Sequence, residues 1–225
     1  MENTRTKTTR NSLILLLTAA IWGMAFVSQS KGMDYMHPFT FNGVRSLIGA
    51  ASILVYILIS RKIAGDKAAP LDWKLNVKAG LLCGIFLTIA STLQQFGIKY
   101  TSVGKAGFIT TLYIIFVPMF GIFLKKKVAP VVWAAAVMAA VGMYLLCMTE
   151  SLRLGAGDIM VFLCAIAFAI QIMTVDHYAA RIDGAVVSCI QFTVCGVVCC
   201  IGALIWGQPT FGQLQEGLGA LLYAG

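Results

Sequence analysis

The sequence contains little charge for its length. Of its 225 residues, 12% are charged and 59% are apolar, whereas about 25% of the residues of a soluble domain are charged. A chain with so few polar side chains cannot form a water-facing surface, which argues against soluble enzymes and nucleic-acid-binding domains. The composition therefore predicts an integral membrane protein in which several helices cross the bilayer.

Groups that commonly carry chemistry are also scarce in the apolar part of the chain. The two histidines, His37 and His177, lie at the edges of apolar runs, and no carboxylate lies within a run. These facts argue against paired haem ligands and an aspartyl pair in the membrane. The seven cysteines lie in apolar runs without a histidine at metal-ligand spacing, so they are interpreted as buried packing residues. We expect no enzyme activity, no catalytic residue, no cofactor and no metal site.

Seven apolar runs are long enough to span a bilayer core, which requires about 20 residues. They cover Ser12–Ser28, Phe39–Ser60, Ala79–Ile98, Ala106–Leu124, Ala129–Met148, Ile159–Val175 and Ala185–Trp206. The first is interpreted as a membrane helix rather than a signal peptide, because no cleavage motif follows it. An eighth run begins near Gly217 and is incomplete at Gly225, so we expect the sequence to be part of a longer protein. The expected fold class is an all-α membrane bundle.

Lysine and arginine are distributed unevenly between the connecting segments. If the N-terminus is cytoplasmic, the cytoplasmic segments hold twelve of the 17 basic residues and the outer segments hold four. This bias predicts a multi-pass protein of the cell membrane with its N-terminus in the cytoplasm. Apart from the long basic segment Arg61–Lys78, the connections are short, so consecutive helices are expected to be antiparallel neighbours.

One charged residue, Arg45, lies within the seven runs. A charge at this depth costs a few kcal/mol and normally faces the interior of the helix bundle or a water-filled cavity. Asn42, Gly49, Ser52 and Tyr56 lie on the same helical face, which favours a cavity over a lipid-facing surface. The alternative is that Arg45 extends to the outer lipid headgroups.

Two other runs carry polar residues at the depth of Arg45. The third run has a face of small and polar residues and the fourth has a polar segment: Gly84, Thr88, Ser91 and Gln95, and Thr110, Thr111 and Tyr113. Hydrogen-bonding groups from three helices in one layer predict a cavity that binds a polar or anionic group. The alternative is that these groups only bond to one another between packed helices.

Small residues and a proline predict how these helices pack. Gly80 and Gly84 lie four residues apart, and this spacing predicts the close approach of another helix. Pro118 is expected to kink the fourth run, because proline lacks the N–H group that bonds within a helix.

The runs can be divided into two halves. When the first five runs are aligned with the sixth onward, Arg45 falls opposite Gln191, and each is the seventh residue of its run. A repeat of five spans reverses its orientation in the second copy, which gives the inverted symmetry common in transporters. Gln191 then lies near the inner boundary of the membrane, as Arg45 lies near the outer one.

Four segments carry a family resemblance: Trp22-Gly23, FNGVRSLIGA around Arg45, GIKYTSVGKAGFITTLYIIFVPMFGIFL, and Gly157-Asp158. Together they resemble the EamA repeat of the drug/metabolite transporter superfamily. The resemblance implies ten helices in two inverted five-helix repeats. Residues 1–150 would form the first repeat, and residues 151–225 would form helices six, seven and the start of eight in an incomplete second repeat. The family often has Gly-Glu after the fourth helix, where this chain has Lys125–Lys127.

The resemblance also implies a function. The expected function is secondary transport of small organic metabolites such as amino acids, by alternating access. The expected partners are a small-molecule substrate and the lipid bilayer, with no nucleic acid, and a homodimer is left open. If transport is proton-coupled, the carrier is expected beyond Gly225 or at a boundary acid such as Asp158 or Asp176. The alternatives are a flippase for a lipid-linked metabolite and a non-transporting anchor or sensor subunit.

Eight residues are expected to bind the substrate. They are Trp22, Asn42, Arg45, Ser91, Gln95, Thr111, Tyr113 and Gln191. Trp22, near the bilayer midplane, is expected to act as a gate or as a stacking surface, and the alternative for it is ordinary core packing.

Overall fold

The computed structural model describes residues 2–65, 71–124, 129–147 and 155–225. Every regular element in these residues is helical, and six helical segments are long and apolar enough to cross a membrane. They are Asn11–Tyr35, Pro38–Ala64, Trp73–Tyr100, Val103–Phe123, Ala156–Arg181 and Gly184–Gly207. The prediction of an all-α membrane bundle is therefore confirmed.

Ten α-helices make up the described chain. They are α1 (Glu2–Tyr35), α2 (Pro38–Ala64), α3 (Trp73–Tyr100), α4 (Val103–Thr111), α5 (Tyr113–Phe123), α6 (Pro130–Cys147), α7 (Ala156–Tyr178), α8 (Gly184–Gly202), α9 (Phe211–Glu216) and α10 (Leu218–Ala224). A 3₁₀ turn follows α7 at Ala179–Arg181, and a π-helical turn follows α8 at Ala203–Gly207.

The long connection predicted between the second and third runs is wrong in its extent. The second helix continues to Ala64 and ends at Gly65, whose positive φ of 51° suits glycine. The third helix begins at Trp73, because the carboxylate of Asp72 accepts a hydrogen bond from the Leu75 N–H at 3.0 Å and caps the helix. The middle of this connection, like the lysines Lys125–Lys127, lies outside the described residues.

The predicted fourth span differs from the structure, whereas the fifth agrees with it. The fourth is divided into α4 and α5 at Leu112, six residues before Pro118, which lies buried inside α5. Pro118 lacks the N–H group that would bond to the carbonyl group of Ile114, but the break itself lies further towards the N-terminus than the expected kink. In the fifth, α6 covers Pro130–Cys147, within a residue of the predicted bounds at each end.

Four helices form the centre of the bundle. Helix α8 lies between α2 and α3, α7 packs on another side of α3, and α4 and α5 pack against α7. Gly80 and Gly84 allow the predicted close approach, since a Cβ atom on either would lie 2.7 Å from the Cβ of Ile190 or Val194 in α8. Helix α1 makes smaller contacts with several helices, including α10, and its side chains from Leu13 to Leu17 are exposed.

Polar groups tie helix ends together at both ends of the bundle. At one end, the Asp158 carboxylate accepts hydrogen bonds from the Gly155 N–H and the Thr101 hydroxyl, and it lies 3.8 Å from the Lys105 ammonium group. We call this the His37 end, because the α1–α2 connection with His37 lies there. Asp158 therefore both caps the start of α7 and pairs with Lys105.

The opposite end, which we call the Asp183 end, has a similar arrangement. The Asp183 side chain caps α8 by accepting hydrogen bonds from the N–H groups of Ala185 and Val186, at 3.0 and 3.2 Å. The Asp183 N–H donates to Oδ1 of Asn76 at 2.9 Å, and its carboxylate lies 3.5 Å from the Arg61 guanidinium group. These contacts fix the start of α8 against α2 and α3.

Candidate functional site

A chain of hydrogen bonds joins α2 to α3 inside the bundle. Nε of Arg45 donates to Oδ1 of Asn42 at 2.9 Å, and Nδ2 of Asn42 donates to the Ser91 carbonyl oxygen at 2.9 Å. Asn42 and Ser91 are buried, and the Arg45 guanidinium carbon lies 5.8 Å from the centre of the Phe41 ring. The structure therefore brings together three of the eight residues predicted to bind substrate.

The charge of Arg45 has no carboxylate partner among the described residues. The two ion pairs found there join Arg61 to Asp183 and Lys105 to Asp158. The described residues give the Arg45 side chain one hydrogen bond, through Nε. Its terminal nitrogens therefore stay available, and a guanidinium group binds carboxylate or phosphate through two parallel hydrogen bonds.

Helix α8 adds sulfur atoms to this layer. The Cys195 thiol lies 3.5 Å from the Ser46 hydroxyl, which donates to it, and 3.3 Å from the Ser91 hydroxyl. One turn along, Cys199 lies 3.7 Å from the Thr92 hydroxyl. Both cysteines are buried, as the sequence predicted. Their hydrogen bonds to hydroxyl groups could not be read from the sequence, because they depend on which face of α8 meets α3.

A second polar contact joins α1 to α3. Nε2 of Gln95 donates to the Gln29 carbonyl oxygen at 3.0 Å, and both glutamines are almost completely buried. The side-chain oxygens of both glutamines lack a hydrogen-bond partner among the described residues. Gln29 was missed by the sequence analysis, because the first apolar run was ended at Ser28 whereas α1 continues to Tyr35.

The predicted residues of the fourth run lie apart from Arg45. Thr110 is buried and accepts a hydrogen bond from Gln94 at 3.2 Å, whereas Thr111 donates to the carbonyl groups of Gly107 and Phe108 in its own helix. Thr111 also lines a cavity of about 60 Å³ between α4, α5 and α6. Tyr113 is partly buried at the start of α5, and no contact in the described residues joins it to the Arg45 chain.

Gln191 and Trp22 also lie apart from the Arg45 chain. Gln191 is buried and accepts a hydrogen bond from Nε2 of Gln171 in α7 at 3.1 Å, one turn from Cys195 towards the Asp183 end. Trp22 is 47% exposed on α1, and the described contacts do not bring it to the other seven. The polar face predicted on α2 is also shorter than expected, since Ser52 and Tyr56 are exposed.

An open cavity lies elsewhere, between α3, α5 and α7 near the Asp183 end. Its volume is about 540 Å³ and its walls are mainly apolar and aromatic. We call it the aromatic groove; its lining residues are Leu82, Phe86, Phe120, Phe123, Leu124, Ile170, Met173, Thr174, His177 and Tyr178. The aromatic groove and the polar residues around Arg45 thus lie in different parts of the bundle. We place the candidate site at the polar residues.

Four rings contact one another at the His37 end. Phe39 lies 5.2 Å from Phe96 and 5.7 Å from Trp206, and His37 lies 5.5 Å from Phe96, between ring centres. Partial burial, and then the nearby positive charge of Lys99, lower the pKa of His37 below its usual 6.5. In the described residues, no cluster of three His, Cys, Asp or Glu side chains could hold a metal ion.

This structure defines a class: a membrane-embedded helical bundle with a buried polar layer and an unpaired arginine, as expected of a transporter. Comparison with known proteins gives the family. The model of the EamA-like transporter family matches residues 10–148, more than half of the chain, which therefore belongs to this family.

The chain also resembles a protein described as an uncharacterized transporter from Archaeoglobus fulgidus. The two are 31% identical over 171 residues, which cover 73% of this chain and 48% of the relative. The match thus spans about half of the relative's length. No solved structure matches the chain significantly.

Proposed function

We propose that the chain is part of a secondary transporter that carries small organic metabolites, such as amino acids, by alternating access. The observation that carries this proposal is Arg45, whose guanidinium group is held by Asn42 and lacks a carboxylate partner in the described residues. Burying such a charge is costly. An anionic group of a transported solute would offset that cost when it binds, which gives the unpaired arginine a functional reason.

The arrangement of α2 and α8 supports the proposed inverted repeat of residues 1–150 and 151–225. The two helices pack side by side in opposite directions, with Gly43 against Cys200, Leu47 against Gly196 and Ala50 near Cys189. Arg45 and Gln191, aligned with each other in the two halves, would then lie on opposite sides of the centre of this contact. Two packed, oppositely oriented helices are what an inverted repeat places at its centre.

The excess of basic residues supports an orientation for this transporter. The segments that would face the cytoplasm hold twelve of 17 lysines and arginines, which favours a cytoplasmic N-terminus in a cell membrane. The His37 end then faces outward and the Asp183 end faces the cytoplasm. Arg45 would be reached from the outside, and the aromatic groove would open towards the cytoplasmic leaflet.

Counterflow in liposomes tests the proposed function. The intact protein is reconstituted and assayed with labelled amino acids, nucleosides and organic acids, beside Arg45→Gln. Hydrogen bonds to charged groups contribute about 1.5–3 kcal/mol. A loss of about 1.4 kcal/mol weakens binding tenfold, so we expect the flux to fall at least about tenfold. Membrane insertion should be unchanged.

Arg61→Gln is the matched control for this experiment. Arg61 also lies on α2, but its ion pair with Asp183 is exposed to solvent, and exposed pairs contribute little. Its flux should stay within about twofold of the wild type. Equal flux in the wild type and Arg45→Gln would contradict the assignment of the site, and no flux of any solute from well-inserted protein would contradict transport itself.

The aromatic groove favours a second candidate, a flippase for a lipid-linked metabolite. Phe123 in its wall is 79% exposed, so in a bilayer this cavity of about 540 Å³ opens towards the lipid. An acyl or polyprenyl chain would fit apolar walls of this kind, with the headgroup towards the polar layer. Flux of a fluorescent lipid-linked sugar, without flux of free solutes, would favour the flippase over the carrier of free metabolites.

A further inference from the structure

Two buried oxygen atoms lack partners at the contact between α1 and α3. Gln29 and Gln95 are 1% and 0% exposed, and Oε1 of each has no hydrogen-bond donor among the described residues. Buried polar atoms are almost always hydrogen-bonded, so each exception requires an explanation. The hydrogen bond from the Gln95 side chain to the Gln29 carbonyl oxygen brings these two residues together where α1 meets α3.

The hydrogen bond between the two residues fixes the orientation of the Gln95 amide. Its nitrogen faces the carbonyl oxygen of Gln29, which can only accept. If the Gln95 amide turned over, two acceptors would face each other and this hydrogen bond would be lost. The Gln95 oxygen therefore keeps its position, and a ligand that satisfies it must supply an N–H or O–H donor.

The unpartnered oxygen of Gln95 lies close to the chain of hydrogen bonds that holds Arg45. Asn42 links the guanidinium group to the Ser91 carbonyl, and Ser91 lies one helical turn, about 6 Å, from Gln95 on the same helix. A separate inorganic cation at the glutamines would be repelled by the unpaired charge of Arg45. A solute that carries an anionic group and an ammonium group on one small skeleton would satisfy both regions at once.

We propose that Gln29 and Gln95 bind the ammonium group of the transported solute while Arg45 binds its carboxylate. This inference rests on the proposed function, since it concerns the same carrier. It assigns the glutamine pair a role in selectivity: the protein accepts an amino carboxylate and discriminates against the same carboxylate without its amino group. Gln29 becomes a binding residue on α1, and the site then includes α1, α2 and α3.

Matched pairs of solutes test the inference. The intact protein in liposomes is given an α-amino and an ω-amino carboxylate, each beside its deaminated form, and the ratio of the two fluxes is measured for each pair. We expect a ratio of at least about ten in the wild type for one pair, and a ratio near one in Gln95→Leu and Gln29→Leu.

Gln94→Leu is the control, because Gln94 is a buried glutamine one residue away whose amide bonds to Thr110. Its flux ratio should match the wild type. The ratio is measured within one protein sample, so incomplete folding of a variant lowers both fluxes and leaves it unchanged. A wild-type ratio that persists in both Gln95→Leu and Gln29→Leu would overturn the inference.

Two further outcomes separate this inference from the proposed function. If the wild type carries both members of every pair equally, the ammonium site is wrong while transport stands. If the wild type carries neither member of any pair nor any other solute, the proposed transport function itself is contradicted. If the deaminated form moves as fast as the amino form once sodium replaces choline in the buffer, an inorganic cation occupies the oxygens, which also overturns the inference.

Discussion

The polar layer around Arg45 and the aromatic groove share α3 but differ in almost every physical property. The polar layer is closely packed and, within the described residues, has a charge without a carboxylate partner, two oxygens without donors and two thiols. The groove is open, aromatic and about 540 Å³ in volume. A large cavity indicates where a ligand fits, whereas polar groups without partners indicate which chemical groups a ligand would supply. The comparison teaches that the latter are the stronger guide here, because burying them has a cost that a bound ligand would offset.

The largest effect is expected from Asn42→Asp. The new carboxylate would lie at the hydrogen-bonding distance of 2.9 Å from Nε of Arg45 and would neutralise it in place. An anionic solute would then compete with a resident ion pair, and close charge pairs contribute about 1.5–7 kcal/mol. Flux of the anionic solute should fall about a hundredfold. The melting temperature in detergent should change little, because the new ion pair offsets the lost hydrogen bond to the Ser91 carbonyl oxygen.

Asn76→Asp is the matched change, because Asn76 is also a buried asparagine but its Oδ1 accepts from the Asp183 N–H. A second carboxylate beside Asp183 adds repulsion at a helix cap, so the melting temperature should fall and the remaining folded protein should keep its flux. Retained flux in Asn42→Asp would show that the charge of Arg45 is not used, and the contrast between the two regions would lose its functional meaning.

A smaller effect, on a different kind of solute, is expected from Phe120→Ala in the aromatic groove. Phe120 stacks on Phe116 with ring centres 6.0 Å apart and borders the open space. Removing a ring that is only partly buried should cost about 1–2 kcal/mol of stability, less than the 3–5 kcal/mol of a core position. Flux of a hydrophilic solute should change less than twofold, while flux of a lipid-linked solute, if the groove carries it, should fall about tenfold.

The smallest effect is expected from pH at the His37 end. Nδ1 of His37 accepts a hydrogen bond from the Phe39 N–H at 3.4 Å, which requires a neutral ring. Because the pKa of His37 is lowered in the folded protein, the unfolded chain binds its proton first as the pH falls below 6.5. Stability should therefore decrease from pH 6.5 downward, and His37→Gln should reduce this decrease in melting temperature. The same pH profile in both proteins would remove His37 from the explanation.

Part of the site could be predicted from the sequence because a charge or an amide stands out in an apolar run. Arg45, Asn42, Ser91 and Gln95 were found in this way, and their spacing placed them at one depth. The sequence could not show which of two adjacent polar residues faces the bundle interior. Successive residues of a helix point about 100° apart, and the depth in the membrane is nearly the same for both. Thr111 was therefore chosen where Thr110 is the buried residue that bonds to α3.

The remaining differences have a common physical cause. Gln29 lies in a segment with lysine and aspartate nearby, which ended the apolar run although the helix continues to Tyr35. The hydrogen bonds of Cys195 depend on contacts between helices that are distant in sequence. Apolar periodicity reports which residues avoid water, but it does not report which neighbouring helix each face meets.

The ties at the two ends of α3 join three helices to one another and leave α1 outside them. Asn76 near the start of α3 is bonded to Asp183, and Thr101 just after its end is bonded to Asp158, so α3, α7 and α8 are joined as one unit. The polar tie of α1 to that unit, within the described residues, is the hydrogen bond between Gln95 and Gln29. A displacement of α1 would break this bond and uncover the buried amide of Gln95, while the polar ties of the unit would stay intact.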